Sequence, residues 1–335
     1  MEYRLLGRTG VRVSQVCLGT MMFGGPTPAD ESQRIIDKAL DLGVNFIDTA
    51  DMYNAGRSEE VVGAALKGRR DNVVLATKAC NPMGPDVNQK GLSRRWLMQG
   101  LDRCLSRLQT DYVDVFYIHK PDPDTAIEET LRTLDDIVRS GKARYVACSN
   151  YRAWQVAELL WTADKHDYER FACVQPLYNL VNRDIEVDLL PLCQSQQLGV
   201  VTYSPLARGI LTGKYRAGQA FPEGSRASRN DKRMQEAELR EASMLVAEQL
   251  GRHCQQRGVS LTAFSIAWIL ANPIISSVIL GPRTLEQFED NLQALRVTLT
   301  PEDEAAVDAL VPAGEHTGHG FQDPAYPVMG RPAAK

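Results

Sequence analysis

No apolar stretch in this chain approaches the ~18 residues that a membrane-spanning helix needs. Its first residues, Met1-Glu2-Tyr3-Arg4, lack the basic-then-apolar pattern of a secretory signal. Positive charge is not in excess either. The 38 Lys and Arg stand against 42 Asp and Glu, a net charge of −4. That balance excludes the broad basic field that nucleic acid or an anionic membrane would attract. No Cys-x-x-Cys occurs, and the cysteines at 17, 80, 104, 148, 173, 193 and 254 are scattered singly and odd in number. They read as small buried residues of a cytoplasmic protein rather than a disulfide frame. No metal site is expected, because His316-x-x-His319 has no third ligand nearby. Also missing is Gly-x-Gly-x-x-Gly after the first strand, where Gly19-Thr20-Met21-Met22-Phe23-Gly24-Gly25 stands instead. A doubly wound dinucleotide-binding sheet, the second choice of fold, would normally carry it.

What is present points to an α/β barrel. The 335 residues are 44% apolar and 24% charged, enough to bury a large core without cross-links. Short β-branched runs recur, centred near Cys17, Phe46, Leu75, Val115, Val146, Val174, Val201 and Ile279. Most are spaced by one strand-loop-helix unit. Helical patterns fill the gaps at 31–42, 58–66, 93–108, 126–140, 153–166 and 261–272. In the fourth, Ile127, Leu131, Leu134, Ile137 and Val138 form one apolar stripe. Gly43 and Gly141 stand where left-handed helix ends favour glycine. Eight such units predict a (β/α)8 TIM barrel as one domain over 1–335. The hairpin-like residues 3–14 are expected to plug its N-terminal end. About 78 residues separate the seventh and eighth strands, roughly double a normal unit, so a long loop starting at 208–231 is expected there. From about residue 312 the chain turns irregular, with Gly314, Gly318, Gly320, Pro324 and Pro327. This tail either folds over the barrel mouth or moves freely.

Four polar residues, Asp48, Tyr53, Lys78 and His119, fall at or just past the ends of apolar runs. In parallel α/β proteins the C-terminal strand ends share one face, where catalytic groups collect. An acid, a phenol, an amine and an imidazole gathered there can move protons. A free tyrosine has a pKa of roughly 10, and a neighbouring ammonium stabilises its phenolate. Lys78 could supply that charge, Asp48 could hold the lysine, and His119 could orient a carbonyl oxygen. Each residue also has a bland reading. Asp48 could cap a helix, Tyr53 could be core, Lys78 a solvated rim charge and His119 structural.

The motifs resemble one family. Asp48-Thr49-Ala50-Asp51-Met52-Tyr53 with Ser58-Glu59 and Gly63 resembles the first signature of the aldo-keto reductases. Lys78 after a strand, Tyr117-Ile118-His119 and the segment Gly141 to Tyr151 continue it, with Ala147 where glycine is common. Val174 to Asn179, Tyr203-Ser204-Pro205-Leu206-Ala207 and Gly281-Pro282-Arg283 with Gln287 and Asn291 complete the set. The likeness spans about 3–295. It is greatest to the branch of bacterial aldo-keto reductases and potassium-channel β subunits.

The resemblance implies NADPH-dependent reduction of aldehydes and ketones, with Tyr53 as general acid and Asp48, Lys78 and His119 in the other roles. It implies NADP(H) contacts from Gly19, Thr20, Met21, Asp48, Ser149, Asn150, Gln175, Tyr203, Ser204, Pro205, Leu206, Ala207, Gly209, Lys214, Arg226, Gly281, Arg283, Gln287, Asp290 and Asn291. Arginines 226 and 283 suit the 2′-phosphate, since a planar guanidinium gives paired charged hydrogen bonds. Where Gln287 stands, the classical reductases carry arginine. Thr284 is a candidate helix cap. Met22, Tyr53 and His119 would face the substrate, a small carbonyl compound, and the exposed barrel helices could support a homo-oligomer. Two other readings stand beside this one. One is an NADP-binding redox-sensing accessory subunit, although those subunits carry asparagine at the position of His119. The other is an aldolase or isomerase using Lys78 as a Schiff base.

Overall fold

The computed structural model describes residues 1–229, 231–318 and 323. Gly320, Pro324, Pro327 and His319 of the tail lie outside them. The described chain forms two compact units. One comprises Met1–Pro176, Asp188–Tyr203 and Asn272–Asp290, and the other the remaining segments.

The first unit holds the barrel. Strands β1 (Tyr3–Leu5) and β2 (Arg12–Ser14) pair as an antiparallel hairpin. The next eight are β3 (Val16–Gly19), β4 (Phe46–Asp48), β5 (Val74–Ala79), β6 (Val113–Ile118), β7 (Ala143–Ser149), β8 (Cys173–Gln175), β9 (Gly199–Thr202) and β10 (Ser277–Leu280). All are parallel and close in the order β10-β3-β4-β5-β6-β7-β8-β9. Every predicted strand centre lies in one of them. The expected (β/α)8 barrel is therefore the observed fold.

The hairpin sits where it was expected. Leu6 and Val13 are fully buried with Cys17, Phe46, Ala76, Val115, Tyr117, Ala147, Cys173, Val201 and Ile279, the side chains that fill the barrel. Gly7 takes φ +59°. A Cβ there would lie 2.5 Å from Gly199 N and 2.8 Å from Ala172 O, so only glycine lets the chain cross the barrel floor this closely.

Helices Ala29–Asp41, Arg57–Ala65, Arg94–Leu108, Ile127–Arg139 and Ala153–His166 match the predicted patterns to within about two residues. Ser93 caps the third by accepting from Trp96 N. Gly43 and Gly141 end their helices at φ +83° and +78° as expected. The cysteines are all buried and unpaired.

The second unit contains the long loop, the short helix Lys232–Ala237 and the helices Glu241–Arg257, Leu261–Ala271 and Pro301–Asp308. Arg183 is its hub. The guanidinium donates to Glu186, to Asp308 and to Val311 O, and lies 5.2 Å from the Trp268 ring centre. The described part of the tail is tied down in this unit. Thr317 N donates to Val181 O, Arg183 N to Glu315 O, and Arg233 forms a two-point ion pair with Asp323. Among the described residues no cluster of metal ligands occurs, and no helix is long and apolar enough to cross a membrane.

Candidate active site

Lys78 is the centre of the site. It is fully buried on β5, and its Nζ donates to three acceptors: Asp48 Oδ1 at 2.5 Å, Thr49 O at 2.8 Å and Tyr53 Oη at 3.2 Å. Burial works against its charged form. The Asp48 carboxylate beside it overcomes that cost, and the net effect raises its pKa. A buried ammonium with a carboxylate, a carbonyl and a phenol is fully satisfied and fixed in place.

Asp48 is fixed in turn. At the end of β4, its second oxygen accepts from Gln175 Nε2 at 2.9 Å. The segment after it laces onto β5, with Thr49 N donating to Ala76 O and Asp51 N to Lys78 O, and then turns, Tyr53 N donating to Ala50 O. That lacing explains why a tyrosine five residues past the strand still meets a lysine on the neighbouring strand.

Tyr53 opens a tight turn, Tyr53–Gly56, in which Asn54, Ala55 and Gly56 all have positive φ (49°, 57° and 91°). Left-handed non-glycine residues cost energy and need outside support. Asn54 provides some of it, donating from Nδ2 to Met21 O and Phe23 O. His119 follows β6, its backbone N–H bonded to Ala79 O. Its ring lies edge-on to that of Tyr53, 6.1 Å between centres. Burial, then the charges of Lys78 and Lys120, push the imidazole pKa well below its ordinary value, so the ring is neutral near pH 7. Tyr53 and His119 are both half-buried, whereas Lys78 and Asp48 are not reachable from solvent.

A polar row continues along the strand ends. Ser149 Oγ donates to Gln175 O, Asn150 Nδ2 donates to His119 O and Ser149 Oγ, and Tyr203 Oη donates to Asn150 Oδ1 at 2.7 Å. Asn150 itself is left-handed, at φ +66°. The structure thus brings together Asp48, Tyr53, Lys78, His119, Ser149, Asn150, Gln175 and Tyr203. Gly19 pairs with Asp48 in the sheet, and Thr20 is fully buried with its hydroxyl held by Asp48 O and Ser58 Oγ. Met21 is exposed, and Met22 is nearly buried at 9%.

Past β10, Gly281 and Arg283 lead into the helix Leu285–Asn291, which carries Gln287, Asp290 and Asn291. Thr284 Oγ1 accepts from Gln287 N, and Gln287 Oε1 accepts from Arg283 N, so this helix start is capped from both directions. In the second unit, Ser204, Ala207, Arg208 and Gly209 have positive φ, and the loop curls so that Lys214 Nζ would lie 3.2 Å from a Gly209 Cβ. Ser204 O accepts from Asn179. Arg226 pairs with Asp231 at 3.5 Å; burial lowers its pKa. Pro205 and Leu206 lie in the same loop.

Several supporting residues carried no assigned role in the sequence. Thr49 holds the lysine through its carbonyl. Ser58 joins Thr20 and Thr49. Glu59, fully buried, accepts from Thr77 at 2.5 Å and from Arg107 Nε at 2.7 Å. The only signal was their membership in the Asp48-to-Glu59 motif; the Arg107 partner lies 48 residues further on.

Comparison with known proteins fits this arrangement. Residues 15–312 match the model of the aldo/keto reductase family. An uncharacterised oxidoreductase of Bacillus subtilis, YrpG, is 38% identical over 90% of this chain and 93% of its own length. A probable voltage-gated potassium channel subunit beta of Oryza sativa subsp. japonica is 39% identical over 93% and 97%. An L-glyceraldehyde 3-phosphate reductase of Escherichia coli K12 is 36% identical over 94% of both chains. With a closed barrel, an Asp–Lys–Tyr cluster at its strand ends and a family match over most of its length, this chain belongs to the aldo/keto reductase family of oxidoreductases.

Proposed function

We propose that this protein reduces aldehydes and ketones to alcohols with NADPH, with Tyr53 as the proton donor. The observation that carries the reading is the Lys78 ammonium 3.2 Å from the Tyr53 oxygen and 2.5 Å from Asp48. A cation at that distance favours departure of the phenol proton. The neutral imidazole of His119 can donate to the carbonyl oxygen that receives it and hold that oxygen in line. When bound, a reduced nicotinamide supplies hydride to the carbonyl carbon.

The residues present fit that cofactor. Ser149, Asn150 and Gln175 form a row of amide and hydroxyl groups suited to a carboxamide, and Tyr203 stands beside them with its hydroxyl anchored. Arg283, beside a capped helix start, suits a phosphate. Arg226, Gly209 and Lys214 would take the rest of the dinucleotide, as the family resemblance implies. Met22 would border the substrate. The reductase relatives support an enzymatic role; the channel-subunit relative supports an NADP-binding accessory role. A histidine at 119 beside an intact Lys78–Tyr53 pair favours the enzyme. The charged state of Lys78 disfavours a Schiff base, which needs a free amine.

The test is turnover of NADPH with a panel of carbonyl compounds including 4-nitrobenzaldehyde, followed by absorbance. Oxidation of NADPH with any of them is expected. Tight binding without oxidation across the panel would favour the accessory role. In the same assay Arg283→Ala should weaken NADPH far more than NADH, and equal losses would put the 2′-phosphate contact elsewhere.

A further inference from the structure

Beneath the Tyr53 turn, and outside the cluster described above, lies a small cavity of about 30 Å³. That is room for roughly two water molecules. It is lined by Asp51, Met83, Trp96, Gly100, Arg103 and Arg107. Asp51 is 1% exposed, and neither carboxyl oxygen meets a side-chain donor among the described residues; the Met52 backbone N–H is the polar group that favours its charged form most. The indole Nε1 of Trp96 is buried without a hydrogen-bond partner among those residues. Two polar groups of complementary kind thus border one cavity, two residues upstream of the phenol.

The cavity is mechanically linked to the turn. Asp51 N bonds to Lys78 O. Arg107, another wall residue, packs against the end of the turn so closely that a Cβ on Gly56 would lie 2.7 Å from its Cδ. The same guanidinium holds Glu59, which holds Thr77, next to Lys78 in β5. One arginine therefore serves one carboxylate and props the turn. A second negative charge in the cavity would draw Arg107 toward itself and loosen both contacts.

We propose that Asp51 is a positioning residue for Tyr53 that acts through Arg107, leaving that prop of the turn undisturbed while its carboxyl is a neutral acid and drawing it away when the carboxyl ionises. The proposal rests on Tyr53 being the proton donor. On ionisation the proton passes to water, and the charge is left facing Arg107. The groups around Asp51 are Glu59 on the helix Arg57–Ala65, Arg103, Cys104 and Arg107 on the helix Arg94–Leu108, and Lys78 and Cys80 at the end of β5. Burial first, and then the Glu59 carboxylate, push the Asp51 pKa up to about 7; the Met52 backbone N–H, Arg107 and Lys78 pull against that shift. The switch thus falls near neutral pH.

The experiment follows two signals from pH 6 to 8 at saturating NADPH. The first is the emission of Trp96, taken as wild type minus Trp96→Phe. It should show a step near pH 7 that Asp51→Asn abolishes. The second is kcat, which should fall severalfold, up to about tenfold, with little change in KM. In Asp51→Asn, whose amide resembles the neutral acid and cannot ionise, kcat should hold level over the same range. Glu238, also raised to about 7 by burial, is untouched by that substitution and serves as the internal control. Gly100→Ala tests the cavity itself. Its methyl would meet Ala79 and Trp96 at 3.6–3.9 Å, ordinary contact distances, and alanine suits a helix interior better than glycine. By displacing water from the cavity the variant should favour the neutral acid and move the emission step to higher pH, without losing stability.

Absence of the fluorescence step from wild type, or a kcat step that survives Asp51→Asn, would overturn the proposal, as would an emission step that Gly100→Ala leaves unmoved. The emission signal reads the proton whatever Tyr53 does. An inert Tyr53→Phe substitution would sink the proton-donor reading and leave that step intact.

Discussion

Asp48 and Asp51 are three residues apart, nearly equally buried at 2% and 1%, and opposite in circumstance. Asp48 has an ammonium on one oxygen and an amide on the other. Asp51 has no side-chain donor on either oxygen and faces a second carboxylate, Glu59. Burial sets the cost of a charge, and partners decide whether that cost is met. Asp48 meets that cost through its ion pair and fixes Lys78. Asp51 responds instead by holding its proton. One short segment therefore combines a permanent ion pair with a titrating group, and the difference comes from what the neighbouring strand and helix present to it.

The largest effect should come from removing the partner of Asp48. Lys78→Met leaves a buried carboxylate without its cation, a loss of about 3–5 kcal/mol in stability. Activity should fall by more than ~100-fold, because the phenol loses its neighbouring charge. Chemical denaturation and turnover measure the two effects. A variant as stable as wild type would mean that Asp48 is not the buried anion described.

A smaller effect of opposite sign should follow from Asp51→Asn. The Asp51 carboxyl titrates at about 7 in the fold against an ordinary 3.8. Between those values the folded state binds the extra proton, so this group makes stability fall as pH rises from about 4 to about 7. Above that window this group's burial costs the folded state up to roughly 4 kcal/mol of stability, less once the site relaxes. Asp51→Asn should therefore match wild type near pH 4 and exceed it in stability at pH 8. Equal stability of the two proteins at every pH would erase the contrast between the two carboxyls.

How much of this could be read in the sequence depends on the range of the contacts. The barrel was legible because each strand is a compact β-branched run flanked by helical periodicity. All eight centres, from Cys17 to Ile279, lie where they were expected. Gly43 and Gly141 announced their helix ends, since glycine is the residue that takes positive φ at low cost. Gln109, Asp167 and Gln197 adopt the same conformation at other helix ends and gave no such signal. The loop at 204–209 was recognisable as a motif, yet nothing local foretold left-handed Ser204, Ala207 and Arg208. Asp48, Tyr53 and Lys78 were legible as candidates because strand ends in a parallel barrel converge. The state of Asp51 was not. It depends on burial and on the Glu59 charge, and its cavity is lined by Trp96, Gly100, Arg103 and Arg107 from a helix some 45 to 56 residues downstream.

The central claim is that Tyr53 hands its proton to the carbonyl oxygen under the influence of Lys78. Tyr53→Phe removes one oxygen and little else, because the ring stays and the turn is held by Asn54 and Gly56. With NADPH binding measured alongside, the account predicts unchanged cofactor affinity and a rate at least ~100-fold lower. Carbonyl reduction at the wild-type rate in that variant would contradict it.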